Sequence, residues 1–296
     1  MAVVTDSVAC LPPELAEGLG IEVVPIWIRL GDEQLRDGVD ITAEQVYRRL
    51  RQWQGRAVAV STSAPSPGDF LQAFRRAAQR GASAVVAVTV AAPLSASWRS
   101  AGVAAASSPI PVTVVDSRTA AAAQGWVAVE AARVARAGGT VQEVVSRIEA
   151  VRPLCRAYAL VPDLRYLRRG GRVVHALARL GAALGVVPVL AIHPGARIEP
   201  MAVATSVEGA LERIVAELMA DARRGRLHVT VMEADAGPLA DRLEREIAAA
   251  ASPAELWRAP FTPAMGLHAG PGVVGVGYWL EPHPGEAVRA RPGPAG

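Results

Sequence analysis

The chain has 296 residues, of which 51% are apolar, so it can bury a sizeable core as one large domain or two medium ones. Its formal net charge is only +3 and its arginines are spread along the predicted helices, which argues against a nucleic-acid-binding protein. The N-terminus lacks a basic region followed by a long apolar segment, and no run of about 18 apolar residues occurs, so we expect a cytosolic protein without integral membrane association.

The first fifty residues predict strands and helices in alternation. A short strand at residues 2–4 ends in small polar side chains, and Pro13 opens a helix. Residues 21–30 have the β-branched character of a single further strand, which a hairpin turn follows. Thr42 then begins a helix, and Gln45 completes its capping box.

An apolar run at residues 57–60 ends in the hydroxyl side chains Ser61, Thr62 and Ser63. A helix is predicted shortly afterwards, because Ser66 is a good N-cap. The pattern indicates the carboxyl end of a strand beside a helix start, which offers hydroxyls and free backbone N–H groups to an anion. The alternative interpretation is that these residues only cap the helix and close a turn.

Two further strand-then-helix units follow, with β-branched runs at residues 84–90 and 112–115 that are typical of buried parallel strands. Helices are predicted from about residue 97, over residues 120–137 and from Thr140 onward. Four strand-then-helix units of this part of the chain place small polar residues at the carboxyl end of the strand, namely Thr5/Asp6/Ser7, Ser61/Thr62/Ser63, Ser95/Ser97 and Asp116/Ser117. Because the carboxyl ends of parallel strands lie along one edge of a sheet, we expect these residues at the ligand-binding edge of a Rossmann-like α/β domain.

The pattern changes after Pro153. Strands and helices still alternate, but a predicted hairpin suggests that the sheet is mixed or antiparallel; the predicted elements are strands at 157–161, 186–192, 197–204, 227–232, 256–260 and 273–280 and helices at 163–169, 206–224 and 238–250. We therefore predict an N-terminal parallel-sheet α/β domain over residues 1–154, a C-terminal α/β domain over residues 155–281 and a disordered tail over residues 282–296.

Two segments of the C-terminal half carry candidate site residues. Residues 262–272 are predicted to form a glycine-rich loop that carries His268. Two glycines precede Arg172 and expose it, which suits an anion; the alternative is a helix C-cap followed by a solvated arginine.

Metal binding and hydrolysis are weaker interpretations. The five histidines show no ligand spacing, and Cys10 and Cys155 lie far apart, so we predict no metal site and two buried thiols. A serine hydrolase that uses Ser95, His268 and Asp116 stays an alternative, although no G-x-S-x-G elbow is present.

Taken together, these motifs resemble the DegV family of bacterial fatty-acid-binding proteins. The matching segments follow the family's order from residue 1 to about residue 280: Thr5-Asp6-Ser7, Arg36-Asp37-Gly38-Val39-Asp40-Ile41, Thr62-Ser63-Ala64-Pro65-Ser66-Pro67-Gly68, Leu94-Ser95, Asp116-Ser117, Tyr166-Leu167-Arg168-Arg169-Gly170-Gly171-Arg172 and His268-Ala269-Gly270-Pro271-Gly272. No single segment would be specific, but together they are.

The resemblance implies a non-catalytic protein that needs no cofactor and holds one long-chain fatty acid in a tunnel between two domains. Thr62 and Ser95 would bind the carboxylate through their hydroxyls, with Ser63 assisting. His268 and Arg172 would line the mouth of the site, where the acyl phosphate is handled. The resemblance also implies a partner, a separate kinase subunit related to dihydroxyacetone kinases, which supplies ATP.

The chain departs from the family's pattern at two positions that usually carry cations. Val187 stands where lysine is usual, and Ala204-Thr205 stands where an arginine is usual. These differences weaken the expectation of kinase coupling more than that of lipid binding. A regulatory protein in which lipid is only structural is therefore a further alternative.

Overall fold

The computed structural model describes residues 1–53, 59–170, 185–193 and 195–283. The strands of the N-terminal part are β1 (Ala2–Asp6), β2 (Glu22–Val24), β3 (Trp27–Leu30), β4 (Glu33–Arg36), β5 (Val60–Ser63), β6 (Val85–Thr89) and β7 (Val112–Asp116). A four-stranded parallel sheet in the order β2-β1-β6-β7 forms its centre. Every residue of β6 is buried, as its β-branched composition predicts for a central parallel strand.

The helices of this part are α1 (Pro13–Leu19), α2 (Ala43–Gln52), α3 (Pro67–Gln79), α4 (Ser97–Ala105), α5 (Ala121–Arg136) and α6 (Val141–Val151). Their predicted starts are confirmed where the capping chemistry is strongest. Thr42 and Gln45 form the predicted capping box, and so do Thr140 and Glu143. Ser66 caps α3 by accepting from the backbone N of Asp69.

The predicted single strand at residues 21–30 is wrong. It is divided into β2, which belongs to the parallel sheet, and β3, which belongs to a three-stranded antiparallel sheet in the order β4-β3-β5. Pro25 stands at the division and has no N–H to donate to a ladder. The next N–H, of Ile26, instead donates to Oγ of Ser7 at 3.0 Å.

The predicted place of Ser61, Thr62 and Ser63 after a strand of the parallel sheet is also wrong. All three lie within β5, which pairs with β3 in the three-stranded antiparallel sheet. Side chains alternate along a strand, so Ser61 and Ser63 are exposed and Thr62 is partly buried. The hydroxyls therefore belong to the last three residues of an edge strand of the antiparallel sheet, and not to a loop after a parallel strand.

The C-terminal part contains the strands β8 (Cys155–Leu160), β9 (Val187–Ile192), β10 (Ile198–Ala204), β11 (Gly225–Glu233), β12 (Glu255–Pro260) and β13 (Val274–Pro282). Its helices are α7 (Leu164–Gly170), α8 (Val207–Ala222), α9 (Gly237–Ala251) and α10 (Pro263–Ala269). The strands form a six-stranded mixed sheet in the order β10-β9-β8-β13-β11-β12, in which only β11 and β12 are parallel. Helices α8 and α9 pack on one face, and α5 of the N-terminal part packs on the other.

The predicted loop at residues 262–272 is wrong, because its first half is the helix α10. Pro263 occupies the first helical turn, where its missing N–H costs nothing, and the apolar residues that follow are good helix formers. The loop character is confined to the end of the segment, where Gly270 and Gly272 have φ angles of 83° and 88°.

A group of charged and aromatic side chains joins α5 and α6 to the C-terminal sheet, and we refer to it as the ion-aromatic cluster. It comprises Trp126, Glu130, Arg133, Arg147, His228, Glu255, Trp279 and Glu281. Arg133 and Arg147 both pair with the buried carboxylate of Glu130. The ring of His228 stacks on that of Trp279 with centroids 4.7 Å apart, and the guanidinium of Arg147 lies 4.9 Å above the same indole.

The short 3-10 turn Arg152–Leu154 precedes β8. Division of the chain into two domains at residue 154 stays a prediction, and residues 284–296 of the predicted tail lie outside the described residues. Among the helices that the structure describes, none combines the length and the apolar character needed to cross a membrane.

Candidate functional site

A cavity of about 1130 Å³, including its opening to solvent, lies between the two parts of the chain. Its described lining contains no Asp, Glu, Lys or Arg. The lining residues are Val8, Ile26, Thr62, Ser63, Ala64, Val90, Leu94, Ser95, Ala120, Ala121, Ala157, Tyr158, Ala159, Val161, Leu167, Leu190, Ile192, Ile198, Met232, Phe261, Ala264, Met265, His268, Ala269 and Val273.

One face of the C-terminal sheet forms a wall of this cavity. Ala157 and Ala159 of β8 face the cavity together, since alternate residues of a strand point to the same side. Gly277 of β13 pairs with Ala157, and a Cβ atom at Gly277 would lie 2.5 Å from the backbone N of Ala123 in α5. Small residues thus let α5 pack closely on the centre of the sheet and leave open space beside it.

The polar side of the cavity contains a contact between two predicted site residues. Oγ1 of Thr62 and Nε2 of His268 are 2.8 Å apart, although 206 positions separate them in the chain. Thr62 is positioned by β5, where it pairs with Ile28, and His268 is positioned by α10. The contact brings one residue from each part of the chain to the same point.

Two further predicted residues, Ser63 and Ser95, line the same cavity. Ser95 lies just before α4, and its Oγ is 2.9 Å from Oγ of Ser97 and accepts from the backbone N of Ser97 at 3.3 Å. No side chain caps the first turn of α4 from its N-cap residue, Ala96. Ser95 therefore presents its hydroxyl beside the positive end of a helix, an arrangement that favours an anion.

The predicted residues at the end of β1 have a different role. Asp6 is buried and outside the cavity lining; its carboxylate accepts from the backbone N atoms of Val8 and Val90 at 3.2 and 2.8 Å and from Nε2 of Gln124 at 3.0 Å. Burial raises the pKa of Asp6 to about 6, while these hydrogen bonds act in the opposite direction. Asp6 joins β1, the end of β6 and α5 to one another.

The described contacts of Ser95, His268 and Asp116 lead to three different partners. Ser95 contacts Ser97, His268 contacts Thr62, and Oδ1 of Asp116 accepts from the backbone N of Arg118 at 2.8 Å. Neither Ser95 nor Asp116 makes a described hydrogen bond to His268. Arg172, the remaining predicted site residue, lies outside the described residues.

Sequence reasoning missed most of the apolar lining. Ala120 and Ala121 at the start of α5 line the cavity, as does Met232 of β11. Alanine carries no chemical signal, and helix α5 reads in the sequence as an ordinary buried helix. One unusual feature is the left-handed conformation of Ala121, with φ of 56°, but the sequence does not display it.

The comparison with protein families decides the classification. The model of the DegV family matches residues 1–281. The chain belongs to the DegV family. A DegV domain-containing protein of Streptomyces coelicolor is 38% identical over 281 residues, which cover 93% of this chain and 97% of that protein.

Solved structures of DegV proteins share the whole fold. A DegV family protein from Thermus thermophilus, described for its fatty acid binding, matches with a TM-score of 0.86 at 30% identity and covers 95% of this chain and 99% of its own. DegV from Bacillus subtilis, described as a fatty acid binding protein, matches with a TM-score of 0.85 at 26% identity over the same shares. Structural neighbours of this DegV protein are thus fatty-acid-binding proteins.

Proposed function

We propose that this protein binds one long-chain fatty acid in the cavity, with the carboxylate at Thr62, Ser63, Ser95 and His268. The observation that carries the proposal is a large apolar cavity in whose described lining the polar groups are almost confined to these hydroxyls and one imidazole. The other polar residue of the described lining, Tyr158, packs its ring against Tyr278 in the core of the C-terminal part. The fatty-acid-binding relatives of the same fold support the same ligand class.

The apolar tail supplies most of the binding energy. Burial of about fifteen methylenes at about 0.8 kcal/mol each offers on the order of 12 kcal/mol before the costs of ordering the chain are subtracted. The described lining has no carboxylate that would repel the head group and no charged side chain in the path of the tail. The cavity therefore suits a ligand with a long apolar body and a single polar end.

The hydroxyls and the imidazole supply orientation. A carboxylate is costly to bury without hydrogen bonds, and hydroxyl donors to a charged oxygen form the stronger class of hydrogen bond. Thr62 and His268 already contact each other, so a carboxylate placed between them and Ser95 would meet donors from both parts of the chain. In this role His268 and Thr62 bind the ligand and catalyse nothing.

Alanine variants of the hydroxyls test the proposal. Thr62→Ala and Ser95→Ala should each weaken the binding of oleate to delipidated protein by about 1–3 kcal/mol, because each leaves a buried carboxylate oxygen without a donor. Isothermal titration calorimetry measures the change, and Ser61→Ala, an exposed position on the same strand, is the matched control. Unchanged affinity in both variants would show that the head group binds elsewhere.

We also propose that the protein presents its fatty acid to a separate kinase subunit for acyl phosphate formation, with Arg172 near the mouth of the site. Ser63 is exposed and lines the cavity, which would let a second protein reach the carboxylate. Val187 and Ala204 supply no cation for such a partner. Oleate-dependent ATP consumption by a dihydroxyacetone-kinase-like subunit, present only when this protein is added, is the expected result, and its absence would limit the function to lipid binding.

A further inference from the structure

The helix that carries His268 receives its cap from a distant part of the chain. The N-cap residue of α10, Thr262, makes no side-chain capping hydrogen bond. Oδ1 of Asp37 instead accepts from the backbone N of Ala264 at 2.9 Å, across 227 positions of sequence. A carboxylate at this place satisfies a donor that the helix itself leaves unpaired and complements the positive end of the helix.

The other carboxylate oxygen of Asp37 is held as well. Oγ of Ser7 contacts Oδ2 of Asp37 and also accepts from the backbone N of Ile26 at 3.0 Å. Because a hydroxyl has one proton and the Ile26 N–H is itself a donor, Ser7 donates its proton to Asp37. Asp37 is only 3% exposed and accepts through both oxygens, so its side chain is fixed in one orientation.

The same segment is also docked on α2. Oη of Tyr47 donates to the carbonyl of Phe261 at 2.8 Å, just before α10. Within the helix, a Cβ atom at Gly266 would lie 2.3 Å from Cε1 of Tyr47, so the backbone of α10 rests directly on that ring. Asp37 holds the first turn of α10 between these two contacts.

The geometry points to Asp37 as a positioning residue that sets where α10 presents His268 to Thr62. The inference rests on the proposed function, because that function assigns His268 to the carboxylate site. Burial raises the pKa of Asp37 to about 6, while the hydrogen bonds from Ser7 and Ala264 act in the opposite direction. An ionisable cap is thus placed at a buried position, whereas α2, α3 and α6 use exposed neutral hydroxyls of Thr42, Ser66 and Thr140 for the same purpose.

The first test follows His268 itself in the delipidated full chain, by long-range proton–nitrogen NMR of the histidine side chains. Asp37→Ala should move the Nε2 signal of His268 away from its position in the wild type, while the signal of His228, in the ion-aromatic cluster, should stay in place. Asp37→Asn keeps an oxygen that accepts from Ala264 and should restore most of the wild-type signal. Asp221→Ala, which removes another buried carboxylate, hydrogen-bonded to Tyr278, should leave His268 unchanged.

The second test is a double-mutant cycle on oleate affinity. Asp37→Ala should weaken binding about tenfold, the size expected for loss of one hydrogen bond to a charged group. In the His268→Ala background the same substitution should have no further effect, because a residue that acts only through His268 cannot act without it. Asp221→Ala should change the affinity less than twofold in both backgrounds.

The outcomes separate this inference from the proposed function. Two results would overturn the positioning role of Asp37. One is an unchanged His268 signal in Asp37→Ala. The other is a double variant whose loss of oleate affinity equals the product of the fold losses of Asp37→Ala and His268→Ala. If the wild type binds no oleate, the proposed function fails, and the NMR result still decides whether Asp37 positions His268. If Asp37→Ala does not fold, Ser7→Ala carries the test, since it frees one oxygen of Asp37 and should shift the His268 signal without moving that of His228.

Discussion

Two of the places where the N-terminal and C-terminal parts meet in the described structure have opposite chemistry. At the ion-aromatic cluster, Glu130 is 3% exposed and pairs with Arg133 and Arg147, and aromatic rings fill the space between the charges. At the cavity, the facing surfaces are almost wholly apolar and are separated by open space. One contact region is packed with paired charges, and the other is held apart around a void.

A cavity between two parts of a chain can stay open when contacts elsewhere hold the parts together. A void contributes no dispersion contacts, so the surfaces around it add little to the cohesion of the parts. The ion-aromatic cluster and the docking of α10 by Asp37 and Tyr47 supply contacts on other sides. Stability and ligand affinity should therefore respond to different residues.

A substitution that fills the cavity should reduce oleate affinity without reducing stability, and this is the largest effect that we expect. Ala159→Phe places a ring where a fatty acid tail would lie and should reduce oleate affinity by about 3–5 kcal/mol, the equivalent of several displaced methylenes. Unfolding in urea should show a stability equal to or above that of the wild type. Val203→Phe, at a half-exposed position on β10, is the control and should leave the affinity as it is. Tight oleate binding by Ala159→Phe would place the tail elsewhere.

A substitution in the ion-aromatic cluster should have the opposite result, a loss of stability without a loss of oleate affinity. Glu130→Ala removes the buried carboxylate between Arg133 and Arg147, leaving Arg133 paired with Glu255 alone, and should lower the free energy of unfolding by about 2–4 kcal/mol. Oleate affinity of the folded protein should change less than twofold. Glu149→Ala, which removes a carboxylate that is 51% exposed and pairs with Arg152, should cost less than about 1 kcal/mol. Equal losses in the two variants would contradict the role given to the cluster.

Asp37, which caps α10, should make a smaller contribution to the pH dependence of stability. The pKa of Asp37 rises from an ordinary value of 3.8 to about 6 in the folded protein, so the folded state binds more protons than the unfolded state between these values. The contribution of Asp37 therefore stabilises the fold fully below about pH 4 and is lost as the pH rises through 6. Asp6 has a similarly raised pKa and contributes with the same sign.

Asp37→Asn isolates this contribution. From pH 7.5 to pH 5.0, the gain in unfolding free energy should be smaller in the variant than in the wild type by about 1–1.5 kcal/mol. Urea unfolding at both pH values measures the difference, in which the contributions of groups that do not interact with Asp37 cancel. Identical pH dependence in the two proteins would show that Asp37 titrates at its ordinary pKa.

The sequence predicted the fold wherever local chemistry determines it. The buried strand at residues 85–89 and the capping boxes of Thr42 and Thr140 are set by residues that are neighbours in sequence, and all are confirmed. The predicted single strand at residues 21–30 failed although Pro25 is a local signal of its division, because the hydrogen bond that completes the division joins Ile26 to Ser7, 19 positions away.

The candidate site, too, could be predicted from the sequence only in part. Hydroxyls and a histidine stand out in a sequence, so Thr62, Ser63, Ser95 and His268 could be named in advance, and the structure brings them to one cavity. The contact between Thr62 and His268 joins distant segments and could not be inferred from spacing. The alanines that leave room for a ligand carry no signal at all, since open space is defined only by the packing of the elements around it.

The lipid content of the protein as purified from a bacterial host tests fatty acid binding without any added ligand. Native mass spectrometry, followed by extraction and analysis of the lipid, should find one long-chain fatty acid per chain. The same measurement on Ala159→Phe should find none. Well-folded wild-type protein that carries no fatty acid, and that takes up none when oleate is added, would show that the protein does not bind long-chain fatty acids.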